Sequence, residues 1–197
     1  GCNHMGDMEV AKELISVAAV YCKADYVKFQ KRCNKELLSP EEYNKPHPVP
    51  ANSYGATYGE HREFLEFNTE QHKTLMKWCK ELGIGYSTSV WDVTSAFEMA
   101  ELNPDFLKVP SACNLNFPLL NALVKAFGGD IHVSTGMTTK DEIEKIVQFF
   151  EERNASDRVV LYNCTSGYPV PFEDICLLDI NTMKDRWGHR VKEIAFS

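Results

Sequence analysis

The chain has 197 residues, of which 44% are hydrophobic and 25% are charged, the composition of an ordinary globular domain. No apolar run approaches the roughly 18 residues that a membrane-spanning helix needs. The net charge of -7 argues against nonspecific binding to nucleic acid, which requires clustered lysine and arginine. An acidic balance still permits an anionic substrate, because a few local donors can hold a phosphate.

The cysteines form no CxxC pair, and no export signal is visible at the start of the chain. Scattered thiols without such a signal favour a reducing compartment over a disulfide framework, so we expect a cytoplasmic protein. The first residue is not methionine, and the last residues have the pattern of a strand with nothing after it. We therefore expect a fragment of a longer protein.

Short runs of apolar, β-branched and aromatic residues predict six strands, since polar or glycine-containing segments bound each run. Helical patterns lie between them. The predicted strands are Asp25–Gln30, Ile84–Ser89, Phe106–Val109, Ile131–Ser134, Val159–Tyr162 and Val191–Phe196.

Two helices are predicted in the first half of the chain. Asp7 is placed to cap a helix over Met8–Lys23, and a second helix opens at Asn68 or Thr69 and stops at Gly83. The apolar periodicity predicts their core faces. These are Leu14, Ile15, Ala18 and Tyr21 in the first helix, and Leu75, Met76, Cys79 and Leu82 in the second.

Two further helices are predicted in the second half. Pro118 suits a helix start before the Gly128–Gly129 pair. Thr139 and Glu142 have capping-box spacing. The helix that they open is predicted to bury Ile143, Ile146, Val147 and Phe150.

A strand followed by a helix, repeated about six times, predicts a parallel sheet with helical crossovers. Both a doubly wound open sheet and a closed barrel satisfy this pattern. No G-x-G-x-x-G sequence follows the first strand, which disfavours the dinucleotide-binding open sheet. Polar residues cluster where the strands end, as in the active sites of barrel enzymes. The sequence therefore favours an α/β fold of the (β/α)8 TIM-barrel type, with residues 1–197 forming one partial domain.

The stretch Lys31–Phe67 breaks this rhythm, because it is rich in proline, asparagine and tyrosine and has no clear periodicity. Loops of this length in compact domains are typically lids or binding loops. We predict a functional loop here.

Lys28 and Lys108 lie inside apolar strands, where an inward-facing lysine without a partner is costly, so a bound anion is expected. Hydroxyl residues end the same strands and could donate hydrogen bonds to that anion. The alternative is that the serines are turn or helix caps and the lysines are surface residues. The hydroxyl residues are Ser87, Thr88, Ser89, Ser111, Ser134, Thr135, Thr165, Ser166 and Ser197.

Five short motifs follow one another along almost the whole chain: N-H-M-G-D at 3–7, V-K-F-Q at 27–30, T-Y-G-E-H at 57–61, S-T-G-M at 134–137 and C-T-S-G-Y-P at 164–169. Together they make the sequence resemble the sialic acid synthase family. The resemblance implies a (β/α)8 catalytic barrel, here without the start of strand 1 and without strand 8. It also implies the condensation of phosphoenolpyruvate with N-acetylmannosamine or a related amino-sugar aldehyde, with release of phosphate.

The resemblance implies roles for individual residues. Lys28 and Lys108 would be the catalytic cations. Asn52, in the long loop, and Tyr168 would face the amino sugar. Phosphoenolpyruvate would be held by Lys28, Gln30, Thr88, Lys108, Ser111, Ser134, Ser166 and Ser197.

The resemblance also implies a divalent metal, manganese or magnesium, and a homodimer of the full-length parent, with neither nucleic acid nor membrane as a partner. The family's acid/base glutamate precedes the N-H motif, and its metal-binding histidines follow the strand that ends at Ser197. Both, and the small C-terminal antifreeze-like domain, are expected outside this chain. Relatives often differ at Asn163 and Ser166, which could retune substrate preference.

Three histidines within the chain, His4, His61 and His132, have no spacing typical of a metal site, so structural roles are predicted for them. His132 alternates with apolar neighbours and is predicted to face the helices. Cys164 has no histidine near it in sequence and is interpreted as a packing residue.

Three other functions satisfy parts of the pattern. A Schiff-base aldolase would use Lys28 or Lys108 as its nucleophile, with a depressed lysine pKa and no metal. A non-catalytic barrel fragment would bind phosphorylated ligands or a partner subunit. A synthase of legionaminic, pseudaminic or phosphorylated sialic acids would share the same motifs.

Overall fold

The computed structural model describes residues 3–167 and 169–197. The chain divides into two compact units, of which the first ends at Asp105 and the second begins at Phe106. Strands alternate with helices in both units, and the strands within each unit pair in parallel, which confirms the predicted α/β repeat. None of the helices in these ranges is long and apolar enough to cross a membrane.

The first unit contains two paired strands, β1 (Tyr26–Lys31) and β2 (Gly85–Val90). Both coincide with predicted strands, apart from small shifts at their ends. Helices precede, connect and follow them. These helices are α1 (Met8–Ser16), α2 (Asn34–Leu37), α3 (Pro40–Asn44), α4 (Tyr58–Leu65), α5 (Thr69–Leu82) and α6 (Val93–Leu102).

Asp7 caps α1 as predicted, but a π-helical turn over Val17–Tyr21 replaces the last predicted α-helical turns. Ile15 is buried as predicted, whereas Leu14 and Tyr21 are exposed, so the predicted core face was wrong at those two positions. The wider π turn rotates Tyr21 away from the face that a period of 3.6 residues defines. Leu14 precedes that turn, and its exposure places it at the edge of the buried face of α1.

The stretch between β1 and α5, predicted as a functional loop without clear periodicity, contains three short helices, and its functional role stays a prediction. Two of them begin at capping boxes, formed by Ser39 with Glu42 and by Thr57 with Glu60. These boxes have a spacing that can be recognised in the sequence. The helices they open are too short to show a clear hydrophobic period.

Helix α5 matches its prediction closely. Asn68 caps it in a box with Gln71, and Gly83 ends it with φ of 70°, a left-handed conformation that glycine adopts without steric cost. Of the predicted core residues, Leu82 is exposed. The fully or almost fully buried residues of this helix are His72, Leu75 and Cys79.

The burial of His72 makes the stability of the fold sensitive to acid. His72 is 0% exposed, and its Nδ1 lies 2.5 Å from the Tyr86 hydroxyl. Burial lowers the pKa of His72 from 6.5 to about 3. The unfolded chain therefore takes up a proton below about pH 6.5 that the folded chain resists, so the free energy of unfolding decreases as the pH falls through that range.

Urea unfolding at about pH 7 and about pH 5 measures this effect. We expect the wild type to lose about 1 to 2 kcal/mol more than His72→Asn, which cannot titrate there. His189→Asn, at an exposed position, is the control and should keep the wild-type pH dependence. Equal losses in the wild type and His72→Asn would show that His72 is not protonated on unfolding.

The second unit contains four strands that pair in chain order. Each coincides with a predicted strand, apart from small shifts at its ends. Its core includes one face of the first three strands. The side chains on that face are all 0% exposed, namely Leu107, Val109, Ile131, Val133, Val159 and Leu161. The strands are β3 (Phe106–Val109), β4 (Asp130–Ser134), β5 (Val159–Asn163) and β6 (Glu193–Phe196), and the helices are α7 (Phe117–Ala126), α8 (Lys140–Glu151) and α9 (Asp179–Trp187).

Two helix starts in this unit confirm their predictions. Pro118 lies in the first turn of α7. Thr139 and Glu142 form the predicted capping box at the start of α8. The four residues predicted for the core face of α8 are all buried, namely Ile143, Ile146, Val147 and Phe150.

Candidate active site

Two predicted serines flank a glycine in the turn that follows β4. The Gly136 backbone N–H donates a hydrogen bond to the Ser111 hydroxyl at 3.0 Å. A Cβ atom on Gly136 would lie 2.7 Å from Ser166 Oγ and 2.9 Å from Ser111 Oγ. Both distances are below those of real Cβ contacts, so a side chain here would displace the two hydroxyls or the turn. The structure therefore brings Ser111 and Ser166 together at the carboxyl end of β4.

Asn114, which the sequence analysis missed, holds this turn in place. It is 2% exposed, and its Nδ2 donates to the Ser134 carbonyl at 2.8 Å and to the Thr138 hydroxyl at 2.6 Å. The Thr138 hydroxyl donates in turn to the Gly136 carbonyl at 3.0 Å. These bonds fix the backbone around Gly136 before any ligand binds. The only sequence signal for Asn114 is its place in the polar run that starts at Ser111.

Lys108 and Ser134 lie on the face of the second unit's sheet that is opposite the apolar core. Strand pairing sets Lys108 beside His132 and Ser134 beside Tyr162, and paired residues project to the same side. Lys108 is half-buried, and its Nζ lies 4.6 Å from the centroid of the Tyr162 ring. Burial lowers the pKa of Lys108. This face thus offers a desolvated cation that would gain from an anionic partner.

His132 also lies on the Lys108 face, so the prediction that it faces the helices was wrong. Its two apolar neighbours on β4 are fully buried in the core, and strand alternation therefore puts His132 on the other side. The ring stacks on Phe106 with centroids 3.9 Å apart, and its Nδ1 lies 2.8 Å from the Tyr162 hydroxyl. Burial lowers the pKa of His132 to about 4, so the ring is neutral near pH 7.

In the first unit, Lys28 and Gln30 share a face of the paired strands with Ser89. The Lys28 Nζ donates to the Ser89 hydroxyl at 2.9 Å. The side-chain oxygen of Gln30 is buried without a hydrogen-bond partner among the described residues, as is common for groups that a ligand or ordered water satisfies. Lys28 and Gln30 are therefore together, as predicted, and Ser89 joins them.

Thr88 lies on the opposite face from Lys28, so the structure does not bring the two together, and its contact with phosphoenolpyruvate stays a prediction. It is 0% exposed, and its hydroxyl donates to the Tyr86 hydroxyl at 3.1 Å. In a strand, neighbouring residues project to opposite faces. Ser89, the next residue, lies on the Lys28 face and accepts the hydrogen bond from the Lys28 ammonium.

The remaining predicted site residues are less constrained by contacts. Ser197 is exposed after β6, and its backbone N–H donates to the Asn163 carbonyl at 3.1 Å. Asn52 is exposed at the end of the 3-10 turn Pro50–Asn52. Its role in sugar binding stays a prediction. Tyr168 lies outside the described residues.

The T-Y-G-E-H motif at 57–61 has a clear part in the fold. Its threonine and glutamate form the capping box of α4. A Cβ atom on Gly59 would lie 2.3 Å from the ring of Tyr43, and His61 Nδ1 accepts a hydrogen bond from the Tyr54 backbone N–H at 3.2 Å. These local contacts are structural, as expected for His61.

The described residues do not fit the divalent metal that the sequence resemblance implies. Across 3–167 and 169–197, no three His, Cys, Asp or Glu side chains are grouped so that they could hold a metal ion. One ring nitrogen of His132 is bonded to Tyr162, and Nδ1 of His4 accepts from the Gly6 backbone N–H at 3.1 Å. Metal ligands outside this chain therefore stay a prediction.

The sequence of this chain is similar to those of known proteins. The profile of the NeuB family matches residues 14–193. Human N-acetylneuraminate-9-phosphate synthase is 35% identical over 177 residues, which cover 90% of this chain and 48% of the human protein. The N,N'-diacetyllegionaminic acid synthase of Campylobacter jejuni is 31% identical over 94% of this chain and 55% of its own length. The chain thus spans about half the length of these curated relatives.

Solved structures show the same fold. A crystal structure of the sialic acid synthetase from Leptospira borgpetersenii aligns with a TM-score of 0.78 and 26% identity, over 94% of this chain and 59% of that chain. A spore coat polysaccharide biosynthesis protein E from Chromobacterium violaceum aligns with a TM-score of 0.82 and 21% identity, over 99% and 55% of the two chains. These alignments confirm a TIM-barrel-type α/β fold that is incomplete in this chain. The chain belongs to the NeuB family, the family of sialic acid synthases.

Proposed function

We propose that this chain is the catalytic barrel portion of an enzyme that condenses phosphoenolpyruvate with N-acetylmannosamine or a related amino-sugar aldehyde. The observation that carries the proposal is the turn around Gly136, where the Ser111 and Ser166 hydroxyls meet. Strand-end hydroxyls on the same sheet as the desolvated Lys108 suit a phosphate, because the hydroxyls direct hydrogen bonds and the ammonium supplies charge. A cytoplasmic location and a homodimeric full-length protein belong to the same proposal.

In this reaction the protein mainly orients and stabilises charge. C3 of the enolpyruvate attacks the aldehyde carbon, and the enol electron pair forms the new C–C bond. The aldehyde oxygen takes up a proton as its π pair moves onto it. Water adds to the cation left at C2 and loses a proton, and the C2–O bond of the resulting tetrahedral intermediate breaks, which releases phosphate with the bridging oxygen and leaves a ketone at C2. Lys108, Ser111, Ser134 and Ser166 would hold the phosphate, which stays anionic throughout. The divalent metal that the sequence resemblance implies would need ligands outside the described residues, which offer no cluster of three ligating side chains.

Lys28, Gln30 and Thr88 stay predicted ligands of phosphoenolpyruvate, and Ser89 joins the proposed contacts because it bonds Lys28. The names of the human and Campylobacter relatives specify different products, N-acetylneuraminate 9-phosphate and N,N'-diacetyllegionaminic acid. The proposal therefore fixes the substrate class, an N-acetylated amino-sugar aldehyde, and leaves its substituents to experiment.

We expect the intact protein, given phosphoenolpyruvate, manganese and a suitable amino sugar, to release inorganic phosphate in step with product. Parallel reactions would contain N-acetylmannosamine, its 6-phosphate, or the amino sugars that precede legionaminic and pseudaminic acids. Loss of activity with a chelator would support the synthase. Absence of phosphate release with every sugar would contradict it, and borohydride trapping of pyruvate on a lysine would favour the aldolase.

A further inference from the structure

An unbroken series of contacts links Lys108 to three rings on one face of the second unit. Phe106 and His132 stack with centroids 3.9 Å apart and planes at 13°. Nδ1 of His132 lies 2.8 Å from the Tyr162 hydroxyl, and the Tyr162 ring lies 4.6 Å from the Lys108 ammonium. The contacts thus run from β3 through β4 to β5 and return to β3. They leave the Tyr162 ring with little freedom to rotate.

The electrostatics of this arrangement favour an ammonium at the Tyr162 ring. The face of an aromatic ring is electron-rich and attracts a cation, more strongly where water is excluded. His132 adds no competing positive charge near pH 7, because burial lowers its pKa to about 4. The nearby Lys192 ammonium is paired with the Asp130 carboxylate at 2.5 Å. Attraction by the ring therefore opposes the desolvation that lowers the pKa of Lys108.

We propose that Tyr162 is a positioning residue, which holds the Lys108 ammonium in place for the phosphoenolpyruvate anion while His132 fixes the Tyr162 ring. The inference rests on the proposed function for the identity of the anion. A lysine side chain has four rotatable bonds, and ordering it on binding opposes affinity. A ring that orders the ammonium beforehand removes that cost from substrate binding.

Two substitutions separate this role from simple packing. Tyr162→Leu removes the ring and should raise the KM for phosphoenolpyruvate by about ten-fold, with kcat changed by less than about two-fold. Tyr162→Phe keeps the ring and should restore a KM within about three-fold of the wild type. A structural defect alone would lower kcat as well, so the separation of KM from kcat distinguishes the two roles. An unchanged KM in Tyr162→Leu would overturn the inference.

Nuclear magnetic resonance of the intact protein labelled with 13Cε-lysine gives a readout independent of turnover. The ring current should shift the Lys108 Hε signal upfield, and the loss of that signal in Lys108→Arg would assign it. We expect the shifted signal to persist in Tyr162→Phe and to disappear in Tyr162→Leu. A signal that stays in place in Tyr162→Leu would overturn the positioning role alone. A wild-type protein that binds no phosphoenolpyruvate would overturn the proposed function, and this inference with it.

Discussion

Replacing Lys108 with methionine is expected to lower kcat/KM for phosphoenolpyruvate by roughly a hundred-fold to a thousand-fold. Lys108 is half-buried beside Tyr162, where its interaction with an anion is weakly screened by water. Methionine keeps most of the length of the side chain and removes only the charge and its hydrogen bonds. Lys108→Ala should be at least as damaging, because it also removes the stem that packs in the strand.

The stability of these variants distinguishes a binding role from a folding role. Burial lowers the pKa of Lys108, so the folded protein without a ligand gains little from this charge, and Lys108→Met should unfold at a urea concentration equal to or above that of the wild type. Lys145→Met, at an exposed position of α8, is the matched control and should retain full activity. Unchanged kinetics in Lys108→Met would remove Lys108 from the site.

The features that the sequence predicted well depend on local signals. The cap at Asp7, the box at Thr139 and Glu142, and the helix stop at Gly83 all involve residues within one turn of each other. The strands were found because each is a short apolar run between polar segments. These signals, repeated along the chain, were enough for the α/β class. The same local chemistry at Thr57 would have revealed α4.

The face of the sheet from which a polar side chain projects was harder to predict. Ser87, Thr88 and Ser89 are consecutive hydroxyl residues, so no alternation of polar and apolar types shows which of them faces the core. The pairing with β1 sets Ser89 beside Gln30. Since neighbouring residues of a strand project to opposite faces, Thr88 lies on the other face, where its hydroxyl bonds Tyr86. That pairing joins residues far apart in the chain. Short sequence motifs carry no information on such a pairing, so they could not show which hydroxyl faces Lys28.

The contacts that organise the candidate site also span long distances in sequence. His132 and Tyr162 are 30 residues apart, and Ser111 and Gly136 are 25 residues apart. The two members of each pair lie on or just after neighbouring strands, and the strand order brings them together. The sequence could therefore suggest that polar residues meet at the carboxyl ends of the strands. Which atoms touch depends on the register.

Gly136→Ala should disable the candidate site while leaving the fold intact. The added methyl carbon would lie 2.7 Å from Ser166 Oγ and 2.9 Å from Ser111 Oγ, distances that force the hydroxyls or the turn to move. A displacement of about 1 Å at an anion site can cost on the order of a hundred-fold in rate. We therefore expect kcat/KM for phosphoenolpyruvate to fall by at least about thirty-fold.

The matched control for this change is Gly128→Ala, since a Cβ atom there meets no other atom within 4 Å. Its activity should equal that of the wild type, and its stability should be unchanged or slightly higher because alanine restricts the unfolded chain. Gly136→Ala should cost about 1 to 3 kcal/mol of stability through crowding, too little to unfold most domains. Wild-type kinetics in Gly136→Ala would mean that substrate does not depend on the hydroxyls of Ser111 and Ser166. In that case the phosphate would have to bind elsewhere, and the turn after β4 would lose its place in the mechanism.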